Sequence, residues 1–390
     1  MVRDNCIEWR KTMYMPTEDQ ELIRSMVREF AVEEIAPIAA EMDRKHEFPA
    51  NTVKRMAELG ILGLSVSEEY GGSGGDTISF AIAVEELARV CASHACVLST
   101  HVALCIVPIM QFGTEEQKRK YVPDLASGRK LGAFTLTESG AGTDASAQQT
   151  VATLQGDKYI LNGSKIFITN GGVAETFIAF AMTDKSKGLK GISAFIVDKK
   201  FPGFKVGQKE EKLGICASST HEIIYDNCEV PKENLLGKEG EGFKIAMQSL
   251  DCGRIGIGSQ ALGIAQGALD AAVEYAKNRV QFGKPISANQ GLQWMMADMD
   301  LRTDAARQLV YRAGAVRDTG KRYSREAAMA KLFASETAMW VTTKAVQIHG
   351  GLGYTKAYPV ERYMRDAKIT EIYEGTSEVQ RMVIAANLLA

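Results

Sequence analysis

Gly256-Ile257-Gly258-Ser259-Gln260-Ala261 has the G-x-G-x-x-A spacing of a dinucleotide-binding turn, and how it is read decides the fold. Such a turn needs a strand ending at its first glycine and a helix opening at its last, so that backbone N–H groups face a pyrophosphate. Here residues 243–250 before it and 263–278 after it both carry helical spacing. The motif therefore lies inside a helix, and nothing supports a doubly wound parallel sheet. The small residues at 253, 256, 258, 261 and 263 suit close approach of a second helix or of a ligand.

Outward from this segment, helical periodicity covers 243–280, 288–318, 324–348 and 376–388. Upstream the pattern changes to short β-rich runs at 132–137, 149–155, 158–161, 165–169, 176–182, 192–197 and 222–226. Turn signals such as Gln155-Gly156-Asp157, Asn162-Gly163 and Asn170-Gly171 separate them. Strands at roughly ten-residue spacing predict an antiparallel barrel or sandwich. Before them, Thr17 with Gln20 and Thr114 with Gln117 form T-x-x-Q capping boxes. The first box opens a helix expected to end before Pro37, a second helix covers about 50–60, and a long one runs from Thr77 to about Val97. The expected organisation is an extension at 1–14, an all-α domain at 15–130, a middle β domain at 131–238 and a C-terminal four-helix-bundle domain at 239–390.

Composition narrows the class. The 390 residues are 45% hydrophobic and 24% charged, with 46 basic and 48 acidic side chains, which excludes a disordered or fibrous chain. At a formal charge of −2 no bulk positive field exists to hold nucleic acid or an anionic membrane surface. The seven cysteines make no C-x-x-C and stand at no metal-ligand spacing, so reduced thiols and no metal are expected. No signal peptide and no membrane span are expected, and Met13 or Met15 could serve as the natural start. With 36 Gly against 9 Pro, glycine is in excess for a helix-rich chain.

Four clusters could carry chemistry. In Thr135-Leu136-Thr137-Glu138-Ser139-Gly140-Ala141-Gly142-Thr143-Asp144, two glycines and several hydroxyls at a strand end could form a backbone nest; an ordinary turn capped by Asp144 explains it as well. Lys165-Ile166-Phe167-Ile168-Thr169-Asn170-Gly171-Gly172 could lay an aromatic face against a planar ring, or bury a core Phe. Gln347-Ile348-His349-Gly350-Gly351-Leu352-Gly353-Tyr354 ends a helix with three glycines where a C-cap needs one, and His349 reads equally as structural. In Ile372-Tyr373-Glu374-Gly375-Thr376-Ser377-Glu378-Val379-Gln380-Arg381, Thr376 can cap the last helix. Glu374 then stands on the loop before it, either solvated or, if desolvated, a general base.

Taken in this order, together with Arg279-Val280-Gln281-Phe282-Gly283-Lys284-Pro285-Ile286, these clusters resemble the acyl-CoA dehydrogenase family over residues 15–390. Leu250-Asp251-Cys252-Gly253-Arg254-Ile255-Gly256 resembles the short-chain, butyryl-CoA type. The resemblance implies FAD held between the β domain and the helical domains, usually in a homotetramer. Residues 134–143, with Phe134, Leu136, Thr137, Gly142 and Thr143, and Phe167, Ile168 and Thr169 would wall the isoalloxazine ring. Arg279, Phe282 and Gln290, with Gln347, His349, Gly350 and Gly351 from a neighbouring subunit, would hold the adenosine and pyrophosphate. Thr376 and Glu378 would complete that site, while Thr143, Asp251, Arg254, Tyr373 and Gly375 would contact acyl-CoA. Glu374 would remove the α-proton, with the thioester oxygen held by its backbone N–H and a ribityl hydroxyl, and the β-hydrogen would leave as hydride to the flavin. Isovaleryl- and long-chain-type members carry that Glu where this chain has Gly253, which favours Glu374. Cys216 departs from relatives that carry a basic or larger polar residue there. Electron-transferring flavoprotein is the implied acceptor, in a bacterial cytoplasm or a mitochondrial matrix. Branched or cyclic acyl-CoA dehydrogenation, an oxidase, an enoyl-CoA reductase and a silent binding homologue are the alternatives.

Overall fold

The computed structural model describes residues 15–390; the extension expected at 1–14 lies outside the described residues. Helices come first: α1 (Glu18–Phe30), α2 (Ala36–Lys45), α3 (Ala50–Glu58), α4 (Thr77–Val90), α5 (Ala92–Ser99), α6 (Val107–Phe112) and α7 (Glu115–Ala126). Strands follow: β1 (Gly132–Thr135), β2 (Val151–Gln155), β3 (Lys158–Thr169), β4 (Thr176–Met182), β5 (Ile192–Asp198), β6 (Phe204–Lys209), β7 (Thr220–Pro231) and β8 (Leu235–Leu236). The chain then forms α8 (Gly242–Asn278), a hairpin of β9 (Val280–Gln281) and β10 (Lys284–Pro285), α9 (Gln290–Asp318), α10 (Ser324–His349), α11 (Val360–Thr370) and α12 (Ser377–Leu388). The order is helical, β, helical, in three domains.

Both capping boxes form. Thr17 accepts from the Gln20 N–H at 3.2 Å while the Gln20 side chain accepts from the Thr17 N–H at 2.9 Å, and Thr114 and Gln117 repeat the exchange. Gln117 then donates to the carbonyls of Glu233 and Leu235, tying α7 to the turn at 232–234 and to β8 at the edge of the sheet. Pro37 does not end its helix. A π-helical turn at Ala31–Ile35 precedes it, and Pro37 stands in the first turn of α2, where its missing N–H costs no helical bond. The single helix expected from Thr77 to Val97 breaks at Cys91, whose backbone is extended (φ −151°). Tertiary donors explain the break: Arg362 binds the Val90 carbonyl at 3.0 Å and Tyr363 the Arg89 carbonyl at 2.8 Å, satisfying the last turn of α4 from α11.

The middle sheet is mixed and runs β6-β7-β3-β2-β4-β5-β8, with β1 on β4. The expected all-antiparallel barrel or sandwich is corrected here: β1 and β2 both pair parallel to β4, and the strand order is open. The reason is connectivity, since the loop at 136–150 carries the chain from β1 back beside β4 in the same direction. Asn162-Gly163 is not a turn either. It is a bulge inside one twelve-residue strand, β3, which stays paired with β7 on both sides. β6, a largely exposed edge strand, was not expected.

α8 is the central element. At Gly256, Gly263 and Gly267 an added Cβ would lie 2.2 Å from, respectively, the Ser99 hydroxyl and the carbonyls of Glu85 and Arg89. The helix therefore passes α4 and α5 at backbone distance, and 256–261 is a packing stripe. The segment Ala92–Phe112 is long and apolar enough to cross a membrane, its most apolar 18 residues having mean hydropathy 1.8, yet 78% of that stretch is buried in this core. α11 adds a fifth C-terminal helix to the four stretches expected. His101 joins the parts: its Nδ1 accepts from the Gly132 N–H at 3.0 Å and Nε2 lies 3.0 Å from the Leu125 carbonyl. Burial pushes its pKa down to about 4, which keeps it neutral.

Candidate active site

Glu374 lies on the short loop between α11 and α12, in left-handed backbone conformation at φ +53°, followed by Gly375 at φ +94°. A non-glycine residue there needs support from its surroundings. Lys331 of α10 donates to the Gly375 carbonyl at 2.7 Å. Gln380 of α12 donates to the same carbonyl at 2.8 Å and to that of Glu374 at 3.3 Å. Thr376 caps α12, accepting from the Val379 N–H. Bonds within the loop come from the N–H groups of Ile372, Tyr373 and Ser377, leaving that of Glu374 outside the loop's own bonding.

The carboxylate is held against α8 at Gly253. A Cβ at that position would stand 1.9 Å from Glu374 Oε2 and 3.0 Å from a Leu104 methyl. Glu374 as a residue is half-buried, but Oε2 is closed off from solvent and has no hydrogen-bond partner. Burial pushes its pKa up to about 7, against the opposing pull of Lys331 and Arg254. Arg254 binds Asp251 at 2.6 Å, and Asp251 also accepts from Ser324. Tyr373 donates to Gln260, which donates to the Ala92 carbonyl.

The strand-end cluster is organised by a buried ion pair. Lys165 Nζ meets Glu138 at 2.7 Å and also donates to the Leu136 carbonyl and the Gln148 side chain, both at 3.1 Å. Glu138 in turn accepts from the N–H groups of Gln149 and Thr150. Burial would raise the Glu138 carboxyl, but Lys165 and the Gln149 N–H hold it below its ordinary value; Lys165 itself is pushed down to about 8 by burial. The pair closes the loop at 136–150 on itself and leaves Gly142 and Thr143 exposed at its rim, with Thr137 half-buried.

The remaining expected residues fall into two sets. Phe167 sits at the β3 bulge with φ +59° and is 61% exposed, so it is not a core residue. By contrast Phe134 packs on Phe180 in the core, and Leu136 and Ile168 are buried, so these offer a ligand chiefly their backbone. Thr169 reaches Cys96, which also lies in the field of Glu374, so the end of β3 and the Glu374 loop share one neighbour. Arg279, Phe282 and Gln290 are exposed on or beside the hairpin after α8, Phe282 completely. Gln347, Gly350 and Gly351 are exposed at the end of α10, and Glu378 in the first turn of α12. His349 is turned inward: its ring stacks on Tyr275 at 4.2 Å and its Nδ1 bonds the Ala345 carbonyl. Cys216 fills the contact between the 212–218 loop and Arg365 with its partner Asp43.

These residues fit a flavin dinucleotide. At Gly140, Gly142 and Gly351 an added Cβ would meet nothing within 4 Å and φ is not positive, so the fold itself does not require these glycines and bare backbone faces open space; Gly350 is required by its own backbone at φ +59°. Sequence reasoning overlooked Lys331, Gln380, Gln260 and the Lys165–Glu138 pair. Lys331 had a signal: it interrupts the buried stripe Ala327, Ala330, Ala334, Ala338 of α10. A cavity of about 360 Å³ between α1, α4, α8 and α9, lined by Arg24, Glu85 and Arg307 among others, shares none of these residues.

The chain matches the acyl-CoA dehydrogenase N-terminal domain over residues 17–129, the middle domain over 133–228 and the C-terminal domain over 240–389. It belongs to the acyl-CoA dehydrogenase family. The short-chain-specific acyl-CoA dehydrogenase of Clostridium acetobutylicum is 59% identical over 95% of this chain and 98% of its own length. The NADH-dependent acryloyl-CoA reductase of Anaerotignum propionicum is 52% identical, over 96% and 95%. Butyryl-CoA dehydrogenase from Megasphaera elsdenii superposes with a TM-score of 0.95 at 53% identity, covering 97% of this chain and all of that one. A chain from structural work on the electron transferring flavoprotein of Acidaminococcus fermentans gives a TM-score of 0.96 at 58% identity, over 96% and 99%. The chain is accordingly an FAD-dependent oxidoreductase that acts on CH–CH bonds of acyl-CoA esters.

Proposed function

We propose that this enzyme converts a short-chain acyl-CoA, butyryl-CoA first, to the trans-2-enoyl-CoA, with Glu374 as the base that takes the α-proton. The observation that carries the reading is the unpartnered, buried Glu374 Oε2 lodged in the space left by Gly253. A carboxylate that must take a proton from carbon gains basicity from desolvation, and a value near 7 leaves it half ionised at neutral pH. The Glu374 N–H, free of the loop's own bonds, is the donor for the thioester oxygen, where negative charge develops as the α-proton leaves. Asp251, Arg254, Tyr373, Gly375 and Thr143 are assigned to the acyl-CoA, and Arg254 is oriented for it by Asp251.

FAD, when bound, supplies the acceptor for the β-hydrogen and its electron pair. Leu136, Thr137, Gly142, Thr143, Phe167, Ile168 and Thr169 are assigned to its ring, with Phe134 behind them, and Thr376 and Glu378 beside it. Arg279, Phe282, Gln290, Gln347, Gly350 and Gly351 are assigned to its dinucleotide end, and His349 braces the last of these through its stack on Tyr275. A homotetramer would cover Val280, Phe282, Trp294 and Leu301, all exposed on the single chain. The domain limits are taken as 15–130, 131–238 and 239–390.

The test is anaerobic bleaching of the flavin by straight-chain thioesters from C4 to C12, with branched and cyclic ones alongside. Fastest bleaching by butyryl-CoA supports the reading; preference for C8 or longer, or for a branched ester, replaces the substrate. The identity to an acryloyl-CoA reductase favours a second reading, reduction of a short enoyl-CoA. Faster NADH-dependent enoyl-CoA reduction than acyl-CoA oxidation would establish that direction.

A further inference from the structure

Lys331 is fully buried on α10, among Ala327, Ala328, Ala330, Ala334 and Ser335, and it points into the loop that carries Glu374. Its Nζ lies 2.7 Å from the Gly375 carbonyl. Gln380 already donates to that same carbonyl, so a lysine is not required to satisfy it. Among the described residues, no carboxylate lies within salt-bridge distance of Lys331, whereas Arg254, the other cation near Glu374, is bound to Asp251 at 2.6 Å. A cation paired that closely has much of its field cancelled by its partner. Lys331 is thus the buried cation beside the base that has no carboxylate bonded to it among the described residues.

We propose that Lys331 is a positioning residue for the reaction: its ammonium pins the 373–375 loop through Gly375 and supplies the field that keeps the Glu374 carboxylate ionised near neutral pH. This rests on Glu374 being the base. Burial pulls Lys331 down to about 8, so it carries its charge on the acid side of neutrality, where the Glu374 carboxyl takes up its proton. The other groups around Glu374 are Arg254 and Cys252 on α8, Cys96 on α5 and Tyr373 on its own loop; burial raises the two thiols and the phenol and keeps them neutral. Against burial, Glu374 itself favours the charged form of Lys331, Arg254 opposes it, and Glu371 and Glu378, on either side of the loop, add smaller support.

The experiment measures the pH dependence of butyryl-CoA bleaching, from pH 5.5 to 9, in FAD-loaded parent, Lys331→Gln, Lys331→Met and Lys331→Arg. Gln can keep a donor for Gly375 without the charge. The neutral variants should move the acid limb upward by about one pH unit, roughly a tenfold loss at pH 6 with the alkaline plateau retained, and Arg should return it toward the parent. Profiles that superimpose on the parent, or fall equally at every pH, overturn the proposal. So does failure of both neutral variants to retain FAD, which would make Lys331 purely structural. Glu374→Gln is run alongside. If it stays active the base reading falls; if it is inactive while Lys331→Gln is unshifted, only the role of Lys331 falls.

Discussion

Gly253→Ala isolates the contact on which the site depends. The new methyl would stand 1.9 Å from Glu374 Oε2, and real Cβ contacts stay beyond 3.0 Å, so the carboxylate must retreat by about 1 Å or more. Its backbone cannot follow, because Lys331 and Gln380 hold the loop carbonyls. Misplacing a reacting group by about 1 Å costs on the order of 100-fold, or roughly 2.7 kcal/mol of transition-state stabilisation. Stability should move the other way. The atom met is the end of a flexible side chain, and Gly to Ala within a helix is favourable by up to about 1 kcal/mol. Stopped-flow bleaching by butyryl-CoA, with thermal unfolding and FAD content measured on the same sample, separates the two effects. A rate within threefold of the parent would refute the steric reasoning, as would a 100-fold loss accompanied by loss of FAD.

Three further outcomes are expected. The folded-state pKa of Glu374 lies above its ordinary value of 4.5, so its contribution to stability is fully present below about pH 4.5 and is lost as pH rises through about 7. Glu374→Gln should therefore be more stable than the parent by up to about 3 kcal/mol at pH 8 and equal to it at pH 4.5, read by urea unfolding; an equal difference at both pH values contradicts the burial of that charge. Lys165→Met leaves Glu138 buried without its cation and should cost about 3–5 kcal/mol while weakening FAD retention, because the 136–150 loop loses its clasp; a loss under 1 kcal/mol, with FAD retained, would make the pair dispensable. Phe282→Ala should lower both the tetramer fraction in sedimentation and FAD occupancy, and unchanged sedimentation would count against an interface at the β9–β10 hairpin.

Local rules were legible in the sequence where the chain obeys them locally. The two capping boxes, the Thr376 cap and the helical reading of 256–261 needed no tertiary information. Failures came where tertiary partners override local preference. The chain continues through Pro37 because a π-helical turn precedes it, and α4 ends at Cys91 because α11 supplies the donors. The parallel pairing of β1 with β4 depends on a long connection that strand spacing does not reveal. α11 was missed although Val360, Tyr363 and Ala367 mark its buried face.

The site divides in the same way. Glu374 and Gly253 could be named from a resemblance, but that one fills the space left by the other is visible only in three dimensions. The supports come from distant elements, Lys331 and Gln380 for the loop and Lys165 for the strand end, and no local motif joins them to it. Phe134 and Ile168 turn their side chains into the core, since a motif locates a stretch of backbone and not the direction of each side chain.

The most direct test compares Glu374→Gln with the parent at equal FAD occupancy, following anaerobic flavin bleaching by butyryl-CoA at pH 8. Bleaching should fall by at least about 10²–10⁴-fold, the range for losing a positioned general base, while FAD and acyl-CoA binding persist. Bleaching at the parental rate would remove Glu374 as the base.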